Sequence, residues 1–202
     1  MSVLVGRPAP DFTASAVLAD GEIVAGSFNL ANETKDSAAV VFFYPLDFTF
    51  VCPSELIAFS KRMDEFTKRG VKVIGVSIDS QYTHNAWRNT PIEQGGIGAV
   101  RYPLVADVTH SIAKSYGIET PNGAVAYRAT FLINKAGNVV HQVVNDLGLG
   151  RNIDELLRMV DAMQFNEEHG EVCPAGWQKG DDGMKGTPDG VANYLSHHSN
   201  DL

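Results

Sequence analysis

Apolar residues along this chain gather into short continuous runs separated by stretches of helical period. Four runs predict buried strands: Val40–Tyr44, Val71–Ile78, Thr130–Ile133 and Val139–Val144. Lys135-Ala136-Gly137-Asn138 reads as the turn that joins the last two into a hairpin. A shorter hairpin-like region is expected around Asp20-Gly21, after the turn-rich opening Gly6 to Phe12. Between the runs, Leu56, Phe59, Met63 and Phe66 predict a helix from about Pro53 to Lys68, stopped by Gly70. Further helices are expected over Tyr82 to Thr90, over Val108 to Tyr116, and from Asn152 with Ile153, Leu156, Leu157, Val160 and Met163 on its buried face. In that last helix Glu155 lies where a capping box would place it.

Strand and helix alternating, then a hairpin and a final helix, imply an α/β fold with a central mixed β-sheet flanked by helices. The pattern fades after about Asn166. Gly170 to Gly190 is rich in Gly, Asp and Pro and predicts an extended, partly mobile C-terminal arm. The expected division is therefore residues 1–165 as the main domain and 166–202 as the arm.

Composition narrows the classes of function. The chain of 202 residues is 44% hydrophobic and carries a formal charge of −8, which argues against nucleic acid or an anionic membrane as partner. No stretch reaches the ~18 apolar residues that a spanning helix needs. Met1 to Asp20 lacks the basic start and apolar block of a signal peptide, so a cytoplasmic location is expected. In a reducing compartment the only two cysteines, Cys52 and Cys173, are metal ligands, a catalytic redox pair or inert thiols sooner than a structural disulfide.

Cys52 stands where a strand hands over to a helix, followed by Pro53, Ser54 and Glu55. Helix starts present unpaired N–H groups and partial positive charge. A thiol placed there ionises more readily, and thiolate is the reactive form. Glu55, three residues on, fits a capping box with Cys52 in the Ser/Thr place, and Thr49 can share a side with the sulfur. The competing reading is a small buried hydrophobe, the usual fate of a free cysteine. Easier ionisation supplies only about 2 kcal/mol or less, so a fast thiol enzyme also needs groups that stabilise the charge moving onto the leaving atom.

The motif Pro45-x-x-x-Thr49-x-x-Cys52 resembles the active-site signature of the peroxiredoxins, and Val172-Cys173-Pro174-Ala175-Gly176-Trp177 resembles the resolving-cysteine motif of their typical two-cysteine class. The chain is similar to the branch that holds the alkyl hydroperoxide reductase C subunit and thioredoxin peroxidases, from near Gly6 to about Lys179. The resemblance implies a thioredoxin-like fold and reduction of hydrogen peroxide and organic hydroperoxides. It assigns Cys52 as the peroxidatic cysteine and Cys173 as the resolving one, supplied by a partner subunit. Thr49 matches the hydroxyl that orients peroxide, Pro45 the residue that shields the pocket, Arg128 the family arginine and Glu55 the acid that helps hold it. It further implies a homodimer paired through the strand Val139–Val144, a decamer of five such dimers, and thioredoxin or a flavoprotein disulfide reductase as donor. No cofactor and no metal are expected.

Other candidates are weaker. His169 and Cys173 have ligand spacing but no companion pair, and His197-His198 read as solvated tail residues. Gly95-Gly96-Ile97-Gly98 lacks the context of a phosphate loop and resembles the Gly-Gly-Leu-Gly insertion of peroxiredoxins prone to over-oxidation. Those proteins carry a Tyr-Phe pair in a C-terminal helix, where this chain has Tyr194-Leu195 and a polar end. Trp87 and Trp177 read as packing residues that the resemblance puts near subunit contacts. Two rival functions stand beside the peroxidase. A general thiol–disulfide oxidoreductase is disfavoured by the lack of a Cys-x-x-Cys pair, and a holdase chaperone is compatible with peroxidase activity.

Overall fold

A computed structural model describes residues 3–200, so the outermost residues of the N-terminal and polar C-terminal ends lie outside the described residues. The chain divides into two compact units, the first ending at Ile153 and the second beginning at Asp154.

The first unit is built on a seven-stranded sheet: β1 (Thr13–Val17), β2 (Ile23–Asn29), β3 (Ala38–Phe43), β4 (Val71–Ser77), β5 (Leu104–Ala106), β6 (Arg128–Ile133) and β7 (Val139–Asn145). Their order across the sheet is β2-β1-β5-β4-β3-β6-β7. β3, β4 and β5 pair in parallel, and the remaining neighbours are antiparallel. The mixed sheet is as expected, with β7 at one edge. Among the described residues this unit has five α-helices, α1 (Leu30–Glu33), α2 (Cys52–Lys61), α3 (Met63–Lys68), α4 (Gln81–Asn89) and α5 (Ser111–Ser115), and a short 3-10 helix, Ile92–Gln94.

Every residue of β3 is buried, which explains why it reads as a continuous apolar run and not as an alternating one. Successive side chains of a strand point to opposite faces, and both faces of β3 are covered. Phe42 stacks on Phe59 of α2 with ring centroids 4.2 Å apart. Phe43, on the other face, lies 5.0 Å from Tyr116 at the end of α5 and 5.9 Å edge-on from Phe131 of β6. The parallel crossover from β3 to β4 runs through α2 and α3, so α2 begins just beyond the C-terminal end of a central strand. That end of a parallel strand is where open α/β sheets bind their ligands.

Several boundaries differ from the sequence reading. The single helix expected from Pro53 to Lys68 is two helices, because Arg62 leaves the helical region (φ −99°, ψ 4°) and its N–H turns back to Phe59 and Ser60. No Gly or Pro marks that break. The helix expected from Val108 starts at Ser111. Asp107 holds the preceding turn by accepting the N–H groups of Ile112 and Ala113 at 3.0 and 2.8 Å, with His110 in a left-handed conformation (φ 61°). β5 has only three residues, too few to show a period.

The second unit holds nearly all of α6 (Ile153–His169), and α7 (Pro188–His198) closes the described chain. Most of the stretch between them is irregular, as its composition suggested, but Val172 and Met184 exchange both backbone hydrogen bonds, at 2.8 and 3.0 Å. The helix at Pro188 interrupts the expected arm. Thr187 caps it by accepting the Gly190 N–H at 3.1 Å, and Pro188 occupies the first turn, where a missing N–H costs nothing. Among the described residues no helix is long and apolar enough to cross a membrane.

Candidate active site

Cys52 opens α2 and is fully buried. The preceding loop from Tyr44 to Val51 contains a non-glycine residue of positive φ, Phe48 (φ 54°), a costly backbone state that persists only where surrounding contacts hold it. Phe48 packs against Trp87 at 5.8 Å. Pro45 is buried where the chain leaves β3, and Phe50 is almost wholly exposed beside the helix start. The expected capping box is absent: no side chain caps α2, because Glu55 turns inward to two arginines.

Two polar groups reach the sulfur. The Thr49 hydroxyl lies 3.0 Å from Cys52 Sγ and 2.8 Å from the Leu46 carbonyl oxygen. A hydroxyl has one hydrogen, so Thr49 donates to the sulfur or to the Leu46 carbonyl, one at a time. Arg128, the first residue of β6, donates from Nη1 to Sγ at 3.3 Å and to Glu55 Oε2 at 2.7 Å, and from Nε to the Leu147 carbonyl at 2.7 Å. Burial opposes the charge on Arg128, but Cys52 and Glu55 outweigh it and hold its pKa above the ordinary arginine value.

Arg151 was not among the expected residues. It donates from its backbone N–H and from Nε to Glu55 Oε1 at 3.0 and 2.9 Å, and from Nη2 to Glu55 Oε2 at 3.2 Å. Its other contacts anchor it to the sheet: Nη2 donates to Phe43 O at 2.6 Å and Nη1 to Ala129 O at 2.9 Å, and the guanidinium lies 5.2 Å from the Phe42 ring centroid. The side chains of both arginines and of Glu55 are at most 5% exposed. Two guanidinium groups and one carboxylate leave the cluster one positive charge in excess beside the sulfur. Buried charges are tolerable when paired and hydrogen-bonded in this way. The signal that could have found Arg151 is its place after Gly148-Leu149-Gly150, a lone basic residue at the mouth of a helix.

Cys173 lies in the second unit, partly buried, with its thiol 3.5 Å from the Ala162 carbonyl oxygen. Burial raises its pKa, and Arg158 partly offsets that. Both cysteines are free thiols. The tryptophans are buried packing residues: Trp87 donates to Gly95 O at 2.8 Å and Trp177 to Asp181 O at 3.1 Å. Gly95-Gly96-Ile97-Gly98 follows the short 3-10 helix Ile92–Gln94, and a Cβ on Gly96 would collide with the Thr90 carbonyl. No three His, Cys, Asp or Glu side chains converge as metal ligands among the described residues.

Residues 5–142 match the AhpC/TSA family, and residues 162–197 match the C-terminal domain of 1-Cys peroxiredoxin. The chain is 56% identical over 197 residues to alkyl hydroperoxide reductase C of Helicobacter pylori, covering 98% of each chain. It is 49% identical to peroxiredoxin-2 of Cricetulus griseus, covering 96% of each. Among solved structures, the reduced 2-Cys peroxiredoxin of Plasmodium vivax superposes with a TM-score of 0.92 at 47% identity, over 96% of this chain and 100% of that one. The fold is thus the thioredoxin-like peroxiredoxin fold, and the chain belongs to the AhpC/TSA family of peroxiredoxins.

Proposed function

We propose that this protein is a thiol peroxidase that reduces hydrogen peroxide and organic hydroperoxides at Cys52. The observation that carries the reading is the pair of contacts on one buried sulfur, Thr49 Oγ1 at 3.0 Å and Arg128 Nη1 at 3.3 Å. Cys52 thiolate attacks the terminal oxygen of ROOH along the O–O axis. The S–O bond forms as the O–O bond breaks, and sulfur loses two electrons to the peroxide. Cys52 becomes sulfenic acid, and the departing alkoxide or hydroxide takes a proton to leave as alcohol or water. Thr49, its hydrogen held by Leu46, accepts from the peroxide hydroxyl and aligns it. Arg128 donates to the oxygens as negative charge moves from sulfur onto the leaving atom, the stage at which a fixed charge accelerates the reaction. Pro45 closes the base of the pocket, and Glu55 holds Arg128 in place.

Cys173, from a partner subunit, then attacks the sulfenic sulfur, releasing water and forming the Cys52–Cys173 disulfide. A dithiol donor, thioredoxin or a flavoprotein disulfide reductase, reopens it by exchange. In this reading residues 1–165 form the peroxidase domain, and residues 166–202 deliver the resolving cysteine. Two chains pair through the edge strand β7, since an unpaired edge invites a second copy. Five such dimers form the decamer, and the enzyme works in the cytoplasm in antioxidant defence.

One experiment tests the scheme. Stoichiometric hydroperoxide should convert reduced protein into a disulfide-linked dimer on a non-reducing gel, and Cys52→Ser should abolish both that dimer and peroxide consumption. Peroxide turnover surviving in Cys52→Ser would overturn the assignment. Turnover without a linked dimer would overturn the inter-subunit step alone.

A further inference from the structure

The loop that follows β7 meets both arginines of the site, and a side chain at its start ties it down. Asn145 is the last residue of β7 and the cross-strand partner of Arg128, the first of β6. Residues directly opposite in an antiparallel pair show their side chains on the same face. The loop 146–150 folds against these two side chains. Asn145 Nδ2 donates to the Leu149 carbonyl at 3.1 Å and to the Gly150 carbonyl at 3.3 Å. The two hydrogens of an amide suit two acceptors. The amide turned over would set its own oxygen against both carbonyls, so this orientation is the one that satisfies them.

The start of the loop is fixed by Asp146, which accepts the Leu149 N–H at its carbonyl (3.0 Å) and the Leu147 N–H at Oδ1 (2.7 Å). The Leu147 carbonyl accepts Arg128 Nε at 2.7 Å. Gly150 lies against the Cys52 loop, since a Cβ placed on it would stand 3.4 Å from Val51 Cγ1. Arg151 comes next, and its backbone N–H reaches Glu55 Oε1 at 3.0 Å.

These contacts link the loop to the sulfur. A guanidinium is a rigid plane, so the acceptor that holds Nε of Arg128 also sets where Nη1 points, and Nη1 is the atom on Cys52 Sγ and Glu55. That acceptor is a backbone oxygen, placed by the fold of the loop and not by any side chain at 147. All five residues from 146 to 150 are exposed, so little packing holds the loop closed. The two bonds from Asn145 tie its far end back to the strand it leaves.

We propose that Asn145 is a positioning residue for the two arginines of the site: by gathering the Leu149 and Gly150 carbonyls it closes the loop, so that Leu147 aims Arg128 at Cys52 and Arg151 falls on Glu55. Its side chain donates to neither the sulfur nor Glu55 and acts through the backbone between them. The rate readout below rests on the peroxidase reading, and the exchange readout does not.

The reduced full chain would be mixed with hydrogen peroxide and quenched, with oxidation of Cys52 read by mass spectrometry. Backbone hydrogen exchange over residues 147–151 and urea unfolding would be measured on the same proteins. Asn145→Ala removes both bonds. Asn145→Asp keeps the shape but turns a carboxylate on two carbonyl oxygens. Each should slow Cys52 oxidation by about tenfold, as expected when a charge-stabilising group loses its aim. Exchange over residues 147–151 should quicken by about fivefold, as for loss of one or two hydrogen bonds. The unfolding midpoint should move little, because water takes up the exposed carbonyls once they are released.

A double-mutant cycle separates aiming from support of the fold. Arg128→Lys replaces the rigid fork by a single flexible ammonium, whose place no longer follows Leu147. In that background Asn145→Ala should cost less than about threefold, whereas independent effects would multiply in full. If Asn145→Ala fails to fold, as judged by circular dichroism, Asn145→Asp carries the test. A rate unchanged in the folded variants, a full penalty in the Arg128→Lys background, or unchanged exchange over residues 147–151 would overturn the proposal. Faster exchange in the variants, with no oxidation of Cys52 by peroxide in the wild-type chain, would uphold the hold on the arginines and reject the peroxidase reading.

Discussion

Glu55 and Arg151, 96 residues apart in sequence, meet through three hydrogen bonds between 2.9 and 3.2 Å, one of them from the Arg151 backbone N–H. The guanidinium grips both carboxylate oxygens, a geometry lysine cannot reproduce. Arg128 uses the same carboxylate, at Oε2. The orientation of the arginine on the sulfur therefore depends on a residue that never touches it.

Replacing Arg151 by Lys should then weaken the fold and the chemistry together. Breaking a buried pair by removing one partner costs about 3–5 kcal/mol, and a lysine that keeps part of the contact should cost less, about 2. Peroxide reduction should slow by at least about tenfold, as expected when a charge-stabilising group loses its aim. Glu55→Gln leaves two buried guanidinium groups facing a neutral amide and should destabilise at least as much. Urea unfolding with a parallel peroxide assay checks both. A variant that loses stability with no change in the peroxide step would show that Arg151 supports the sheet alone.

The contrast between Arg128 and Arg151 shows how far the sequence was legible. β3, β4, β6 and β7 follow from apolar runs because each strand packs on one or both faces. The start of α2 follows from Cys52-Pro53, since proline suits a first turn. Arg128 came from resemblance to a motif, not from any period. Arg151 stands in a glycine-flanked loop, and its partner Glu55 reads locally as a capping residue, so no local signal joins the two. Asp47, in the loop before Cys52, and His84 of α4 meet at 2.7 Å and were hidden in the same way, because a contact between elements 37 residues apart leaves no trace in spacing. The break at Arg62 and the three-residue β5 were missed for lack of punctuation and of length. Only the helix at Thr187-Pro188-Asp189 was written locally, as a cap followed by proline, inside a segment whose glycines spoke for an arm.

Cys173 gives a pH dependence with a definite sign. Burial raises its pKa above the ordinary thiol value, while Arg158 acts the other way. A raised folded pKa means that the fold favours the protonated thiol. The stabilising contribution is fully present below the unfolded value, about 8.5, and is lost as pH rises through the folded one. In a Cys52→Ser background, alkylation of Cys173 should have its midpoint above that of a free cysteine. Arg158→Ala should move the midpoint further up, because it removes the one group that favours the thiolate. A midpoint at or below the free value, or a downward move in Arg158→Ala, would contradict the assignment of burial as the dominant cause.

Gly75 ties the packing of the sheet to the site. It lies in the middle of β4, where a Cβ would stand 2.9 Å from the tip of the Phe42 ring and 3.0 Å from Leu104 Cδ2. The first distance is shorter than real carbon contacts and the second is tighter than most, so Gly75→Ala must displace Phe42. Phe42 has no slack on its other sides: it stacks on Phe59 at 4.2 Å, meets Tyr102 edge-on at 5.6 Å and lies beneath the Arg151 guanidinium at 5.2 Å. Overpacking of this kind costs about 1–3 kcal/mol. The displaced ring would press on Phe59 in the helix that carries Cys52 and on the arginine that holds Glu55, so the loss should not be confined to stability. Gly75→Ala should lower the unfolding midpoint and slow peroxide reduction, whereas Leu104→Ala alone should destabilise by opening a cavity on the side of Gly75 away from that ring. Combining the two should recover part of the stability lost by Gly75→Ala but little of its activity, because the Phe42 contact at 2.9 Å remains. Full recovery of activity in the double variant would mean that the strain passes through Leu104 and not through Phe42.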